Sequence, residues 1–317
     1  MDPFNPEEQQ QQTFSGEFPP KPVVMERSQN ALTRSLISLL VYAGLFYIIF
    51  DQNVTYIAAI LLVIIVHELG HFAFMKLFHY SNVKIFIVPL LGAFTSGKKQ
   101  QVSQWQLSLI ILGGPVPGII IGTLLYLYNR GLHNETITML SNSFLIINLL
   151  NCLPFHPLDG GRLVETLFFK ENYAIRIAFG IASIIALVCI CFVVQSFILL
   201  IIPVLIGFEI YNENKHQKIR DYLKQEKIDY HVEYADLTDK NYWLIRDCLI
   251  FSFPKKYAGI IAGQYQYSHL EALFVQHVNS VLQVNLKQDL NWFKRLLVLI
   301  FYILITLSPI VLFVIFR

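Results

Sequence analysis

The sequence predicts an all-α polytopic membrane protein with six to seven transmembrane helices, a short membrane-dipping β-hairpin and a small cytosolic helical domain. Three observations predict it. The chain of 317 residues is 55% hydrophobic, with a mean hydropathy of +0.51. Only 15% of its residues are charged, well below the roughly 25% usual for soluble domains. Apolar runs long enough to span, at about 20 residues of 1.5 Å rise, recur near 32–50, 54–78, 103–128, 137–168, 173–194, 196–212 and 295–316.

Taken in order, residues 1–30 are rich in Gln, Pro and polar residues and lack the apolar core of a signal peptide. They read as a disordered cytosolic tail. The runs at 32–50, 54–78 and 103–128 are clean spans. Residues 83–97 are too short to span, rich in β-branched and aromatic residues and bounded by turn residues, which fits either a hairpin or a plain interfacial loop. The run at 137–168 begins as an ordinary apolar helix and is then broken by Pro154, Pro157, Gly160 and Gly161. The pair at 173–212 reads as a tight helical hairpin, with Pro203 interrupting its second member. Residues 213–294 are the only sizeable polar region and carry apolar positions at helical spacing, as in a small cytosolic domain. Residues 295–317 close the chain as a C-terminal transmembrane helix.

Lys and Arg set the orientation. Placing the N-terminus inside leaves only Arg130 in the short outer loops, while Lys76, Lys84, Lys98, Lys99, Arg162, Lys170, Arg176 and the 213–294 segment lie inside. A net charge of +2 with no basic run interleaved with aromatics argues against a nucleic-acid surface. Cys152, Cys189, Cys191 and Cys248 form no Cys-x-x-Cys pair, so neither a disulfide framework nor a thiolate zinc site is indicated.

The chemistry concentrates in His67-Glu68-Leu69-Gly70-His71, inside the apolar run that begins near Tyr56. Ionisable side chains are expensive in hydrocarbon, so three within five residues need a reason. At i and i+4 both imidazoles share one helix face and can reach one metal, with Glu68 near enough to handle a water. A hydrolytic zinc centre takes a third protein ligand. The acidic residues in the remaining spans are Asp159, Glu165 and Glu209. Asp159 sits in the broken stretch, and unpaired backbone at membrane depth is tolerated only where protein buries it or a wet cavity accepts it. Surface placement accounts for Glu165 and Glu209. Asn151 can satisfy the broken helix backbone through its amide.

His67-Glu68-Leu69-Gly70-His71, taken with Asn151-Cys152-Leu153-Pro154-Phe155-His156-Pro157-Leu158-Asp159-Gly160, resembles the two-part pattern of the site-2 proteases, intramembrane zinc metalloproteases. The resemblance covers residues of about 54–168. It implies a metalloprotease domain at 31–212 with its core at 54–168, and one Zn2+ per chain held by His67, His71 and Asp159. It further implies Glu68 as general base toward zinc-activated water, and Asn151 as a residue that positions substrate or oxyanion. Gly113-Gly114-Pro115-Val116-Pro117-Gly118 looks like the family's glycine-proline element but departs from its commoner form, and packing alone is expected of it. The hairpin at 83–97 would offer a strand edge to an unwound substrate.

The expected function is therefore an intramembrane endopeptidase that cuts transmembrane or membrane-proximal segments of protein substrates. The expected setting is a lipid bilayer, a bacterial inner membrane by the compact architecture, with the N-terminus and 213–294 cytosolic. A catalytically silent metal-braced scaffold would be expected to lose Glu68, which is present. A metal or proton transporter would tend to show paired broken helices, and only one occurs here.

Overall fold

The computed structural model describes residues 18–23, 44, 54–88, 92–99, 101–169, 172–195, 200–283 and 285–315. Two compact units divide the chain, residues 30–208 with 286–317 and residues 1–29 with 209–285.

In the larger unit, helix α1 (Val54–Leu77) carries the pentapeptide in its C-terminal half. It ends where His79 adopts φ +60° and the Tyr80 N–H returns to Met75 O at 3.0 Å, a left-handed terminator that frees the chain to turn back. Strands β1 (Ser81–Val88) and β2 (Gly92–Lys98) follow as an antiparallel pair with Ile85 opposite Thr95. Residues 83–88 and 92–97 thus pair as the two strands of a hairpin. A second two-stranded sheet joins β3 (Gln101–Ser103) to β4 (Asn285–Lys287), so the fold is predominantly, not wholly, helical.

Helices α2 (Gln104–Gly113) and α3 (Pro115–Asn129) run on from each other, and α4 (Glu135–Asn151) returns beside α3. Asn129 closes that turn, its amide donating to Asn134 O at 2.9 Å and Thr138 Oγ1 at 2.7 Å. Ser103 caps α2 through Gln106 N at 3.2 Å. Asp289, on the loop before α10 (Trp292–Ile315), accepts from Trp105 N at 3.1 Å and Ser103 Oγ at 2.5 Å. Burial pushes the Asp289 carboxyl up, but these hydrogen bonds outweigh it and hold the group below its ordinary range. A depressed folded-state pKa stabilises the fold above the unfolded value near 4, and that contribution is lost as pH falls through the folded one. Asp289→Asn is expected to cost about 1 kcal/mol or less, given partial exposure. In chemical-denaturation curves the difference from wild type should be present at neutral pH and shrink as pH falls through the carboxyl's depressed folded-state pKa.

The break expected within the run at 137–168 is present in the structure. Helix α4 stops at Asn151, and the chain becomes helical again only at α5 (Asp159–Val164), followed by a π turn at Glu165–Phe169. The prolines between them remove donors and forbid helical continuation. The freed backbone is met by protein: Tyr302 of α10 donates its hydroxyl to Cys152 O, and Ser183 of α6 (Tyr173–Val194) accepts from His156 N at 3.1 Å. Gly160 and Gly161 allow the close approach, since a Cβ there would lie 2.2 Å from Cys152 O and 2.3 Å from Phe155 C. Ile111, Ile119, Cys152, Leu163, Leu167, Val298 and Tyr302 form the core around this break.

Four helical stretches among the described residues are long and apolar enough to cross a membrane: α1, the α2–α3 pair, α6 and α10. Six to seven spans are therefore not what the described residues display. The run at 32–50 lies outside them, apart from Gly44, and the run at 196–212 enters α7 (Ile201–Gln225), which continues into charged sequence. α6 and α10 leave Ile181, Ile185, Phe192, Leu297, Phe301 and Leu304 exposed, an apolar surface suited to lipid.

In the smaller unit, α8 (Asp239–Ser252) packs on α9 (Glu271–Val281) around Tyr242, Trp243, Leu249, Tyr257, Phe274 and Val278. Phe18 packs against this same core, and Lys21 N donates to Asp239 Oδ1 at 2.8 Å. The expectation of a disordered tail across 1–30 therefore does not hold for residues 18–23. Three prolines in that stretch stiffen it, and carbonyls left free of internal hydrogen bonds become available to the unit.

Candidate metal centre

α1 presents His67, Glu68 and His71 to the interior, all three buried, among exposed neighbours such as Leu62, Ile65 and Leu69. The first residue of α5, Asp159, is buried beside them. His67 Nε2 lies 2.9 Å and His71 Nε2 3.3 Å from Asp159 Oδ2, and the two Nε2 atoms are 3.1 Å apart. Tetrahedral zinc with bonds of about 2.0–2.1 Å holds its donors roughly 3.3 Å apart. The three atoms are thus already at ligand spacing. Of the remaining acidic candidates, Glu165 sits 3.7 Å from His156 Nδ1 and 3.8 Å from Arg176 Nε, and Glu209 is exposed.

The far sides of the rings decide what the near sides can do. His67 Nδ1 lies 2.8 Å from Asn148 Oδ1, and the Asn148 amide is oriented by donating to Phe144 O at 2.8 Å. His71 Nδ1 lies 2.7 Å from Ile110 O, in the last turn of α2. Both partners are acceptors, so both rings carry their proton on Nδ1 and turn an Nε2 lone pair inward. Two imidazole lone pairs and a carboxylate oxygen then converge on one point with no donor between them. That arrangement calls for a cation, and the oriented outer partners are those expected of metal-bound histidines. Among the described residues, His67, His71 and Asp159 form the one group of this kind.

Glu68 is aimed elsewhere. Its Oε2 accepts from Thr95 Oγ1 of β2 at 2.7 Å, so the hairpin reaches the carboxylate next to the cluster. Asn151 closes α4, its amide donating to Ile147 O at 3.1 Å.

Three residues that sequence reasoning passed over complete the site. Asn148 is fully buried in α4. It lies three residues before Asn151 in an apolar helix, where a buried amide is itself a signal. Thr95 has no local signature. Gly114 forms one wall, since a Cβ there would stand 2.3 Å from His71 Nε2 and 2.8 Å from His67 Nε2. Gly118 gives Asn148 its room, with a Cβ there 2.1 Å from the Asn148 amide nitrogen. The glycine-proline element thus does more than pack. Asn148→Leu keeps the branched side-chain skeleton but leaves the His67 Nδ1–H without its acceptor, and is expected to lower zinc affinity by about 10–100-fold. Competition against a chelator of known affinity measures it.

The model of Peptidase family M50 matches residues 55–133, the segment from α1 through α3 that holds two of the three cluster residues. Stage IV sporulation protein FB of Bacillus subtilis is 27% identical over 153 residues, 47% of this chain and 51% of its own. A zinc metalloprotease of Methanocaldococcus jannaschii is 25% identical over 174 residues, 52% of this chain and 50% of its own. The chain spans about half the length of these curated relatives. A solved site-2 protease from Methanocaldococcus jannaschii superposes with a TM-score of 0.42 at 21% identity, over 57% of this chain and 88% of that one, a likeness too loose to argue from. By the family match over residues 55–133, these relatives and the motif pair, the chain is similar to the site-2 protease family of zinc metalloproteases.

Proposed function

We propose that the chain is a zinc-dependent intramembrane endopeptidase whose metal is held by His67, His71 and Asp159. The convergence of two inward imidazole lone pairs and one carboxylate beside a separately oriented glutamate carries this reading. When bound, zinc would polarise the scissile carbonyl and lower the pKa of water toward neutrality.

The chain's own groups do the rest. Glu68 accepts the proton of the attacking water and delivers it to the departing amine. Thr95 holds that carboxylate by donating to Oε2, which leaves the other oxygen for the water. A helical substrate hides its carbonyls in backbone hydrogen bonds, so it must unwind before it can react. Pairing with a free edge of the β1–β2 hairpin offsets part of that cost. Because Thr95 sits on β2, the same contact that positions the base sets its distance from a strand-paired substrate. Asn151, at the end of α4, is proposed to orient the unwound segment. Substrates are transmembrane or membrane-proximal protein segments in a bilayer, and the bias of Lys and Arg supports a cytosolic N-terminus and a cytosolic 213–294 segment.

Purified protein reconstituted in lipid vesicles with a tagged transmembrane substrate tests the reading. It is expected to carry about one zinc per chain and to release a fragment in a chelator-sensitive way. Zinc-free protein that still cuts would sink the proposal.

A further inference from the structure

The smaller unit has an aromatic face that the metal centre does not use. Phe18-Pro19-Pro20-Lys21-Pro22-Val23 lies along it. Trp243 Nε1 donates to Pro19 O at 2.7 Å, Tyr267 Oη to Pro20 O at 2.5 Å and Tyr234 Oη to Pro22 O at 2.8 Å. Three aromatic donors thus take three prolyl carbonyls in succession. The Phe18 ring lies 4.6 Å from that of Tyr265.

Lys21 sits between them. Its backbone N–H donates to Asp239 Oδ1 at 2.8 Å, and its ammonium donates to Tyr234 O and Ala235 O at 2.7 Å each and to Leu237 O. These carbonyls belong to the short 3-10 turn at Tyr234–Asp236 and the residue after it. They give an ammonium's three protons three acceptors.

Proline-rich chains favour an extended, left-handed helix with no internal hydrogen bonds, so every carbonyl is free to be read. Aromatic-lined grooves with indole and phenol donors recognise that conformation at low entropic cost. The platform is also built rigidly. Behind the Trp243 indole, the Arg246 guanidinium lies 4.8 Å from the ring and is ion-paired with buried Glu271 at 3.2 Å.

We propose that this face is a recognition site for proline-rich peptides of the form Pro-Pro-Lys-Pro, and that Phe18–Val23 is its exchangeable resident ligand. The prolines supply conformation and carbonyls, and the lysine supplies selectivity through its carbonyl cage. A tethered ligand reaches effective concentrations of order 1 mM. A site with an intrinsic Kd of about 0.1 mM is then about nine-tenths filled in cis and shows a roughly tenfold weaker apparent affinity for a peptide in trans.

The probe is a fluorescent peptide Phe-Pro-Pro-Lys-Pro-Val, titrated by anisotropy against the full chain in detergent. Lys21→Glu disables the resident ligand while leaving the face intact, and is expected to bind the probe about tenfold more tightly than wild type. Adding Tyr267→Phe or Asp239→Asn to Lys21→Glu should weaken binding severalfold. So should replacing the probe's lysine by alanine. Equal binding by wild type and Lys21→Glu, or no saturable binding by Lys21→Glu up to several millimolar probe, would overturn the proposal. So would indifference to the probe's lysine.

Discussion

Glu68→Gln is expected to abolish cleavage of a transmembrane substrate by at least about 10³-fold while leaving zinc content unchanged. General acid–base groups contribute roughly 10²–10⁴-fold, and here one group is assigned both proton transfers. The substitution is nearly isosteric, and the Thr95 hydroxyl that donates to Glu68 Oε2 at 2.7 Å can pair equally with an amide. None of the cluster contacts among His67, His71 and Asp159 involves Glu68. A drop in activity with zinc retained therefore isolates the base from the ligands. Loss of zinc along with activity would instead assign Glu68 to the metal.

Gly114→Ala is expected to empty the metal site of a folded protein. The backbone is not the obstacle, because Gly114 lies in the right-handed helical region at φ −71°, ψ −67°. The obstacle is the methyl group, which would stand 2.3 Å from His71 Nε2, 2.4 Å from His71 Cε1 and 2.8 Å from His67 Nε2. Ordinary contact needs roughly 3.5 Å, so the rings must move by about 1 Å, while ligand distances tolerate about 0.2 Å. Zinc per chain should fall below about one-tenth of wild type, with far-UV circular dichroism preserved. Full zinc occupancy in this variant would mean that the α2–α3 junction does not abut the imidazoles.

The pentapeptide could be read from sequence because its logic is local. A spacing of four residues puts two rings on one face of any helix. Asp159 was legible through the break that surrounds it, since Pro154, Pro157, Gly160 and Gly161 announce an interrupted helix. The hairpin was only half legible, because β-branched residues between turn residues fit an interfacial loop equally well, and the strand pairing decided between them. Span number was harder to read. A composition window treats 137–168 as one run, whereas the prolines divide it into α4 and α5. The same window stops at 212, whereas α7 carries its hydrogen bonding through charged residues to Gln225.

Asn148, Thr95 and Gly114 were not legible, because each matters only for what lies across from it. Asn148 is 81 residues from the ring it orients, and Thr95 is 27 residues from the carboxylate it holds. The Phe18–Val23 segment hides in a polar, proline-rich stretch whose composition reads as disorder, and only the aromatic donors more than 200 residues away give its carbonyls partners.

The sequence by itself determined the class of the protein, the pair of imidazoles on one helix face and the broken helix that bears the third acidic group, because periodicity and proline chemistry act within a few residues. The tertiary structure alone decided which ring nitrogen turns inward, which glycine the metal site leans on and which carbonyls the N-terminal prolines present. Those depend on distances between elements far apart in the chain, and no local propensity encodes a distance.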